Sequence, residues 1–398
     1  MTWEADPYPF QFQLFGERSC SRNDSIDGVV EWRDERGHTP AGAIEVYFLT
    51  IYHYHLPQYH MIFFFRSLRR IASMKLIRCC VLFLFLVPLI VPAQTKSNET
   101  ASKTYTIVIH GGAGRISQSM PDSAKQAYQK ALAHALQIGK EILAGGGTCL
   151  DAVEKVVNYF ETDPKFNAGI GSVFTADGTH EMDAAIMDGR DLSCGSVAGI
   201  QHVPHPVSLA RLVMEKTAHV MLAGEGAEWF AQSMGIKLVP GEYFDTPERK
   251  RQYEEYKKRI EQGKHGTVGC VALDVHGNLA AATSTGGMTG KMPGRIGDAP
   301  LIGDGTYANN KTCAISCTGW GEKFIRNTVA FNISALMEYK GMTLAQAADE
   351  MIYKRLQTDD GGLIAVDAKG NYAMTFNSSG MFRGVATSTG TFEVKIWK

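Results

Sequence analysis

The sequence lacks an excess of either charge: 40 Lys and Arg stand against 41 Asp and Glu in 398 residues, a formal net charge of −1. Such a balance gives no electrostatic reason to expect nucleic acid or an anionic membrane as partner, and leaves a small molecule or peptide as the default. Cysteine is scarce, and beyond residue 93 only Cys149, Cys194, Cys270, Cys313 and Cys317 occur, an odd number spread over a long chain. That excludes a disulfide scaffold. Cys313 and Cys317 stand four apart with no second pair or spaced histidine after them, so they read as core residues rather than zinc ligands. Phosphate-binding signatures are missing too. His110-Gly111-Gly112-Ala113-Gly114 follows a strand pattern, but fits neither G-x-G-x-x-G nor a P-loop, and no Lys-Ser/Thr follows it.

What is present is a globular composition, 44% hydrophobic and 20% charged, with 41 glycines gathered in short clusters such as Gly145-Gly146-Gly147 and Gly286-Gly287. Clusters of this kind imply tight turns rather than linkers. Residues 1 to 73 show no sustained period, and Met61-Ile62-Phe63-Phe64-Phe65 is too short to span a membrane. From Met74 the pattern changes to basic Lys75 and Arg78, an apolar run from Cys79 to Val91, and small residues through Ala93. This is the layout of a secretory signal peptide, shorter than the roughly 20 residues of a stable membrane anchor. The expected organisation is an upstream extension over 1–73, a signal peptide over 74–93, and a periplasmic or secreted mature chain.

In the mature chain, Tyr105-Thr106-Ile107-Val108-Ile109 reads as a strand. A helix follows with a capping box at Ser123-x-x-Gln126, and a second is capped near Thr148 with Val153, Val156, Val157 and Phe160 inward. Glu181 to Gly189 and Gly195 to Ile200 read as paired strands, Pro206–Met214 and Ala223–Met234 as helices. Pro247 to Lys264 is nearly all charged and polar, a solvated helix or a mobile linker. Two stretches then repeat one pattern of strand, Gly-Asn turn, strand: Val271 to Ala280 and Ile364 to Ala373. Between them lie one helix opening near Gly319 with Phe324, Ile325, Val329 and Ile333, and another capped by Thr343-x-x-Gln346. Hairpins with helices before and between them predict an α+β fold of sheets packed together with helices outside.

The stretch His265-Gly266-Thr267-Val268-Gly269 sets a Gly-Thr bond directly before an apolar strand pattern. Cut there, the chain would expose Thr267 as a new N-terminus carrying both a hydroxyl nucleophile and an amine base. Six further stretches accompany it in order: His110 to Gly114, Phe166-Asn167-Ala168-Gly169-Ile170-Gly171, Met182-Asp183-Ala184, Thr283-Ser284-Thr285-Gly286-Gly287-Met288, Pro293-Gly294-Arg295-Ile296-Gly297-Asp298 and Cys317-Thr318-Gly319. Together the seven resemble the plant-type L-asparaginases, or isoaspartyl peptidases. The resemblance implies an N-terminal-nucleophile hydrolase with a four-layer αββα sandwich. Self-cleavage would give an α subunit over 94–266, its tail from about 247 mobile, and a β subunit over 267–398. The two would form one domain and pair again as a dimer of heterodimers.

The resemblance also implies roles. Thr267 is the nucleophile, Thr285 orients it, Asn167 lies beside it, and Thr318 and Gly319 form the oxyanion hole. Arg295 and Asp298 grip the α-carboxylate and α-amino group of an isoaspartyl dipeptide or L-asparagine, helped by Gly321. Backbone carbonyls of Phe160, Glu161, Asp163, Phe166, Ala168 and Ile170 would cage a structural sodium ion, with no cofactor for catalysis. His110 serves packing or the cleavage-site loop. Asp304, within Gly303-Asp304-Gly305, stands where a small uncharged residue is expected, and would narrow the pocket or place a charge near Arg295. Two alternatives remain at this level: a glycosylasparaginase acting on sugar-linked asparagine, and an uncleaved member that only binds aspartyl ligands. N-terminal sequencing of the exported protein is expected to begin at Gln94; a mature chain beginning before Met74 refutes the signal.

Overall fold

The computed structural model describes residues 104–259 and 266–398, all within one compact unit. The upstream extension, the proposed signal segment and His265 lie outside the described residues. Among the described residues no helix is long and apolar enough to cross a membrane.

The strands are β1 (Thr106–Gly114), β2 (Met182–Asp188), β3 (Cys194–Ile200), β4 (Met221–Ala223), β5 (Val268–Leu273), β6 (Leu279–Thr285), β7 (Thr306–Ala308), β8 (Cys313–Gly319), β9 (Gly361–Asp367), β10 (Tyr372–Phe376), β11 (Gly380–Thr387) and β12 (Phe392–Lys395). The helices are α1 (Asp122–Ala144), α2 (Cys149–Thr162), α3 (Pro206–Lys216), α4 (Gly224–Ser233), α5 (Pro247–Arg259), α6 (Gly321–Asn327), α7 (Val329–Lys340) and α8 (Leu344–Asp349). The fold is α+β. Eight strands form one sheet in the order β12-β11-β1-β5-β6-β2-β3-β4, and four form a second in the order β10-β9-β8-β7. In the larger sheet, strands from before residue 266 alternate with strands from after it, since β1 lies between β11 and β5.

Burial on both faces explains the nearly continuous apolar runs of the central strands. In β1, Ile107 and Ile109 enter one core, with Leu132, Leu136, Val153 and Phe160 of α1 and α2. Val108 points the other way into a second core, with Ile315, Cys313 and Cys317 of β8. The five cysteines among the described residues are free, four of them buried.

Each repeated Gly-Asn stretch is a hairpin, with Leu273 opposite Leu279 and Val366 opposite Tyr372. Both turns use the same device. Asp274 Oδ1 accepts from the backbone N–H of His276 and Asn278, and Asp367 Oδ1 from Lys369 and Asn371. The hairpins fall in different sheets.

Three local expectations need correction. β1 runs on through the glycine stretch to Gly114, with a register irregularity between His110 and Ala113, because β11 pairs with it there. Ser123 does not cap: α1 starts at Asp122 behind Pro121, whose fixed φ suits the entry to a helix. The helix near Gly319 is two, divided at Thr328, whose φ of 43° breaks the run. The capping residues Thr148 and Thr343 act as expected, each accepting from the backbone N–H three residues on. The polar stretch from Pro247 is helical as α5 to Arg259. One side of it is anchored: Arg249 is buried and donates to the Gly171 carbonyl, Tyr253 stacks on Phe174 at 5.1 Å, and the Tyr256 hydroxyl donates to the Gly290 carbonyl at 3.2 Å.

The approach of α3 to β3 depends on Gly195, where a Cβ would overlap the Ala210 carbonyl oxygen and crowd Met214 N. Backbone atoms cannot rotate away as a side chain can. Gly195→Ala is expected to lower stability by about 1–3 kcal/mol, read as a drop in the denaturation midpoint. An unchanged midpoint would mean the helix is free to shift.

Candidate active site

The β5–β6 hairpin builds the centre. Its register, Val268 opposite Ser284, extended by one residue sets Thr267 across from Thr285. The buried Thr267 hydroxyl donates to Thr285 Oγ1 at 3.3 Å. Thr285 Oγ1 accepts from Gly287 N at 2.9 Å and donates to the Gly266 carbonyl at 2.8 Å. Asn167 Nδ2 donates to the same Gly266 carbonyl at 2.7 Å and to that of Gly287 at 2.7 Å. Asn167 is itself held, its Oδ1 accepting from Val173 N at 3.0 Å. The carbonyl oxygen of the Gly266-Thr267 bond thus sits between two donors, while the hydroxyl that could attack its carbon is held by one of them.

Antiparallel pairing gathers the rest at this end of the sheets. The pairing of β1 with β5 ends here with His110 opposite Gly269, and that of β2 with β6 begins here with Asp183 opposite Thr285. Thr318, in the last turn of pleat of β8, is fully buried and accepts from Ala113 N at 3.1 Å. Gly321 opens α6 close against Asp298 and Arg295, the pair expected to form a substrate clamp: a Cβ there would lie 2.9 Å from Asp298 Oδ1 and 3.0 Å from Arg295 Nη2. Arg295, Asp298 and Gly321 are therefore neighbours, as the sequence implied.

Arg295 is already engaged. Its Nε and Nη2 donate to the two carboxylate oxygens of Glu322, each at 2.9 Å, while Nη1 is the guanidinium nitrogen nearest Gly287 and Gly297. Asp298 is buried, its Oδ2 has no hydrogen-bond partner, and burial pushes its pKa up to about 7. The charges of Asp304 and Glu322 push the same way, and Arg295 opposes them. Asp304 thus exerts its charge on Asp298. The same residue supports the turn into α7, its side chain bonded to Thr328 and its carbonyl accepting from Ala330 N.

Glu322 and a buried group beneath the clamp were missed from the sequence. Lys291 Nζ, fully buried, donates to the Glu181 carbonyl at 2.9 Å, and both Glu181 carboxylate oxygens accept from Gly294 N. Burial pulls the Lys291 pKa down and pushes that of Asp183 up, the charge of each opposing the shift of the other. The available signal was two acids, Glu181 and Asp183, directly before the apolar run Ala184–Met187. His110, expected to serve packing or the cleavage-site loop, touches Thr267 through its ring.

Beyond α2, a Cβ on Gly169 would collide with the Glu161 carbonyl oxygen and one on Gly171 with that of Phe166. Several backbone oxygens therefore turn inward around this loop. The carbonyls of Phe160, Asp163 and Ala168 also accept backbone N–H groups within it. Among the described residues no group of three or more His, Cys, Asp or Glu side chains is gathered to hold a metal ion.

A threonine hydroxyl beside polarising donors, with a paired cation and acid nearby, defines a hydrolase. The chain belongs to the asparaginase family, whose model matches residues 103–396. It is 50% identical over 302 residues to the isoaspartyl peptidase of Salmonella typhimurium, covering 72% of this chain and 96% of that protein. It is 48% identical over 309 residues to the isoaspartyl peptidase of Escherichia coli, covering 73% and 96%. The probable isoaspartyl peptidase/L-asparaginase 2 of Arabidopsis thaliana is 44% identical over 324 residues, covering 74% and 99%.

The raised pKa of Asp298 fixes a sign. The folded state holds this proton more tightly than the unfolded chain, so the favourable contribution is complete below the ordinary carboxylate range near pH 4. It is lost as pH rises through about 7. The stability of Asp298→Asn relative to the parent is expected to improve across that window in parallel denaturation series; a pH-independent difference would show Asp298 titrating normally.

Proposed function

We propose that this chain is a self-activating hydrolase of isoaspartyl dipeptides and L-asparagine that works through a β-aspartyl ester on Thr267. The observation that carries the reading is the Gly266 carbonyl, held at 2.7 Å by Asn167 and 2.8 Å by Thr285 beside the Thr267 hydroxyl. Attack of Thr267 Oγ1 on the Gly266 carbonyl carbon puts negative charge on the oxygen that these donors face. The C–N bond then breaks, the hydroxyl proton goes to the departing nitrogen, and water hydrolyses the resulting ester. Thr267 emerges with a free amine, whose unperturbed pKa of about 7.7–8 suits a general base near neutrality.

In the cleaved enzyme the same hydroxyl attacks the β-carbonyl of the substrate. The Thr318 hydroxyl and Gly319 N–H are the assigned oxyanion donors, distinct from the pair that serves the self-cut. Arg295 recognises the α-carboxylate from its Nη1 side while Glu322 holds the other edge of the fork, and Asp298 receives the α-ammonium with Gly321 alongside. The isoaspartyl peptidase names of the relatives support the substrate class. The layers read as αββα, in keeping with an N-terminal-nucleophile hydrolase, and the export pattern after Met74 as a periplasmic or secreted enzyme assembling as a dimer of heterodimers. The carbonyls of Phe160, Glu161, Asp163, Phe166, Ala168 and Ile170 offer neutral oxygens of the kind a hard cation such as sodium takes.

A denaturing gel with mass spectrometry is expected to give two chains, the second starting at Thr267, and Thr267→Ala a single inactive chain. Asn167→Ala and Thr285→Ala each remove a donor from the scissile carbonyl and should slow the cut by about 100-fold to 1,000-fold. A wild-type protein that stays intact while hydrolysing β-aspartyl-leucine would overturn the scheme. Preference for a glycosylated asparagine over β-aspartyl-leucine would move the substrate to the alternative class.

A further inference from the structure

His110 lies outside the steps just described, yet its ring is fully buried and wedged between the two sheets. Its Nδ1 is 3.0 Å from the Thr267 carbonyl oxygen and its Nε2 is 2.9 Å from Ser316 Oγ on β8. Room for the ring comes from Gly269 opposite it, where a Cβ would collide with both Nε2 and Ser316 Oγ. Ser316 Oγ is in turn 2.7 Å from Thr283 Oγ1, which is 2.6 Å from Thr306 Oγ1. All these groups are buried.

The protons in this row have one consistent arrangement. A carbonyl oxygen only accepts, so Nδ1 carries the hydrogen. Burial drives the His110 pKa down to about 3, so the ring is neutral and its Nε2 must accept from Ser316. Ser316 then accepts from Thr283, while the single Thr306 proton faces both Thr283 Oγ1 and the Ala299 carbonyl at 3.0 Å. From Thr283 the row runs one way, to Ser316 and then His110, and ends on the Thr267 carbonyl.

We infer that His110 is a positioning residue for the nucleophile: its Nδ1–H fixes the Thr267 carbonyl and, through it, the direction of the Thr267 hydroxyl and amine once the bond to Gly266 is gone. This rests on the reading of Thr267 as nucleophile. Before the cut, Thr267 is held by chain on both sides. Afterwards it is a terminal residue, and termini fray unless tied down. Backbone pairing of β1 with β5 begins at His110 opposite Gly269, so the Thr267 carbonyl lies just past the ladder and the imidazole ties it instead.

The test uses the imidazole's geometry. His110→Asn can place an amide N–H where Nδ1 stands, whereas His110→Gln places its amide near Nε2 and leaves the carbonyl without a donor. On the cleaved fraction of each, His110→Gln is expected to lose about 100-fold in kcat with KM within roughly twofold of the parent. His110→Asn should recover most of that loss. Equal activity of the two variants, or a loss confined to KM, overturns the inference. Nitrogen-15 spectra of the wild-type enzyme at neutral pH give a second readout that survives if the variants misfold: a neutral His110 protonated at Nδ1 is expected, and protonation at Nε2 overturns it. Thr267→Ala is the control. Activity in that variant sinks the nucleophile reading, whereas an inactive Thr267→Ala beside a fully active His110→Gln sinks only the role of His110.

Discussion

The structure depends on two hydrogen bonds to one oxygen, the carbonyl of Gly266. A main-chain carbonyl ahead of a central strand would ordinarily find a ladder partner. Here its partners are side chains, the amide of Asn167 and the hydroxyl of Thr285, and each is braced by the backbone. Asn167 is locked by Val173 N and reaches also to Gly287; Thr285 is locked by Gly287 N. The bracing matters because polarisation by donors already in place costs no reorganisation when charge develops. The Asn167 and Gly286–Gly287 segments come from opposite sides of residue 266 and meet at this bond.

A second constraint is electrostatic. Lys291, Asp183, Glu181, Arg295, Glu322 and Asp298 lie within a few residues of one another at the clamp, most of them buried. Isolated charges there would be expensive, and mutual pairing is what makes them tolerable. The pairing is uneven. Arg295 is matched to Glu322, and Lys291 donates to the Glu181 backbone carbonyl with the Glu181 carboxylate 3.9 Å away. Asp298 and Asp183 each keep one oxygen without a hydrogen-bond partner. For Asp298 the unpartnered oxygen belongs to the side chain proposed to receive the substrate amine. Asp183 sits deeper, and its unpaired oxygen has no such assignment.

Much of the site was legible because antiparallel hairpins convert sequence spacing into proximity. The Gly-Asn turn after Asp274 announces β5 and β6, and arms of equal length place Thr267 across from Thr285. Arg295, Asp298 and Gly321 were recoverable from motif resemblance, which encodes a loop that no periodicity describes. What escaped was contact between sheets. His110, Ser316, Thr283 and Thr306 come from four different strands, and nothing in the local pattern of any one of them announces the others. Ser123 misled for a related reason: capping competes with the fixed geometry of Pro121, and the imide ring prevailed. The polar stretch from Pro247 hides its anchors, since Arg249, Tyr253 and Tyr256 look like ordinary surface residues until the groups they meet are known.

The alternation of strands in the larger sheet has a consequence for the molecule's life history. In an uncut chain β1 and β5 find each other within one polymer, and forming the sheet is a unimolecular reaction. A chain severed at residue 266 would still hold β1 between β11 and β5 if this order is kept, so its pieces would interlock like the fingers of two hands. Once unfolded, however, they must meet again by diffusion, and the rate of recovery becomes proportional to concentration. Maturation would leave the folded enzyme intact while changing the molecularity of its own refolding.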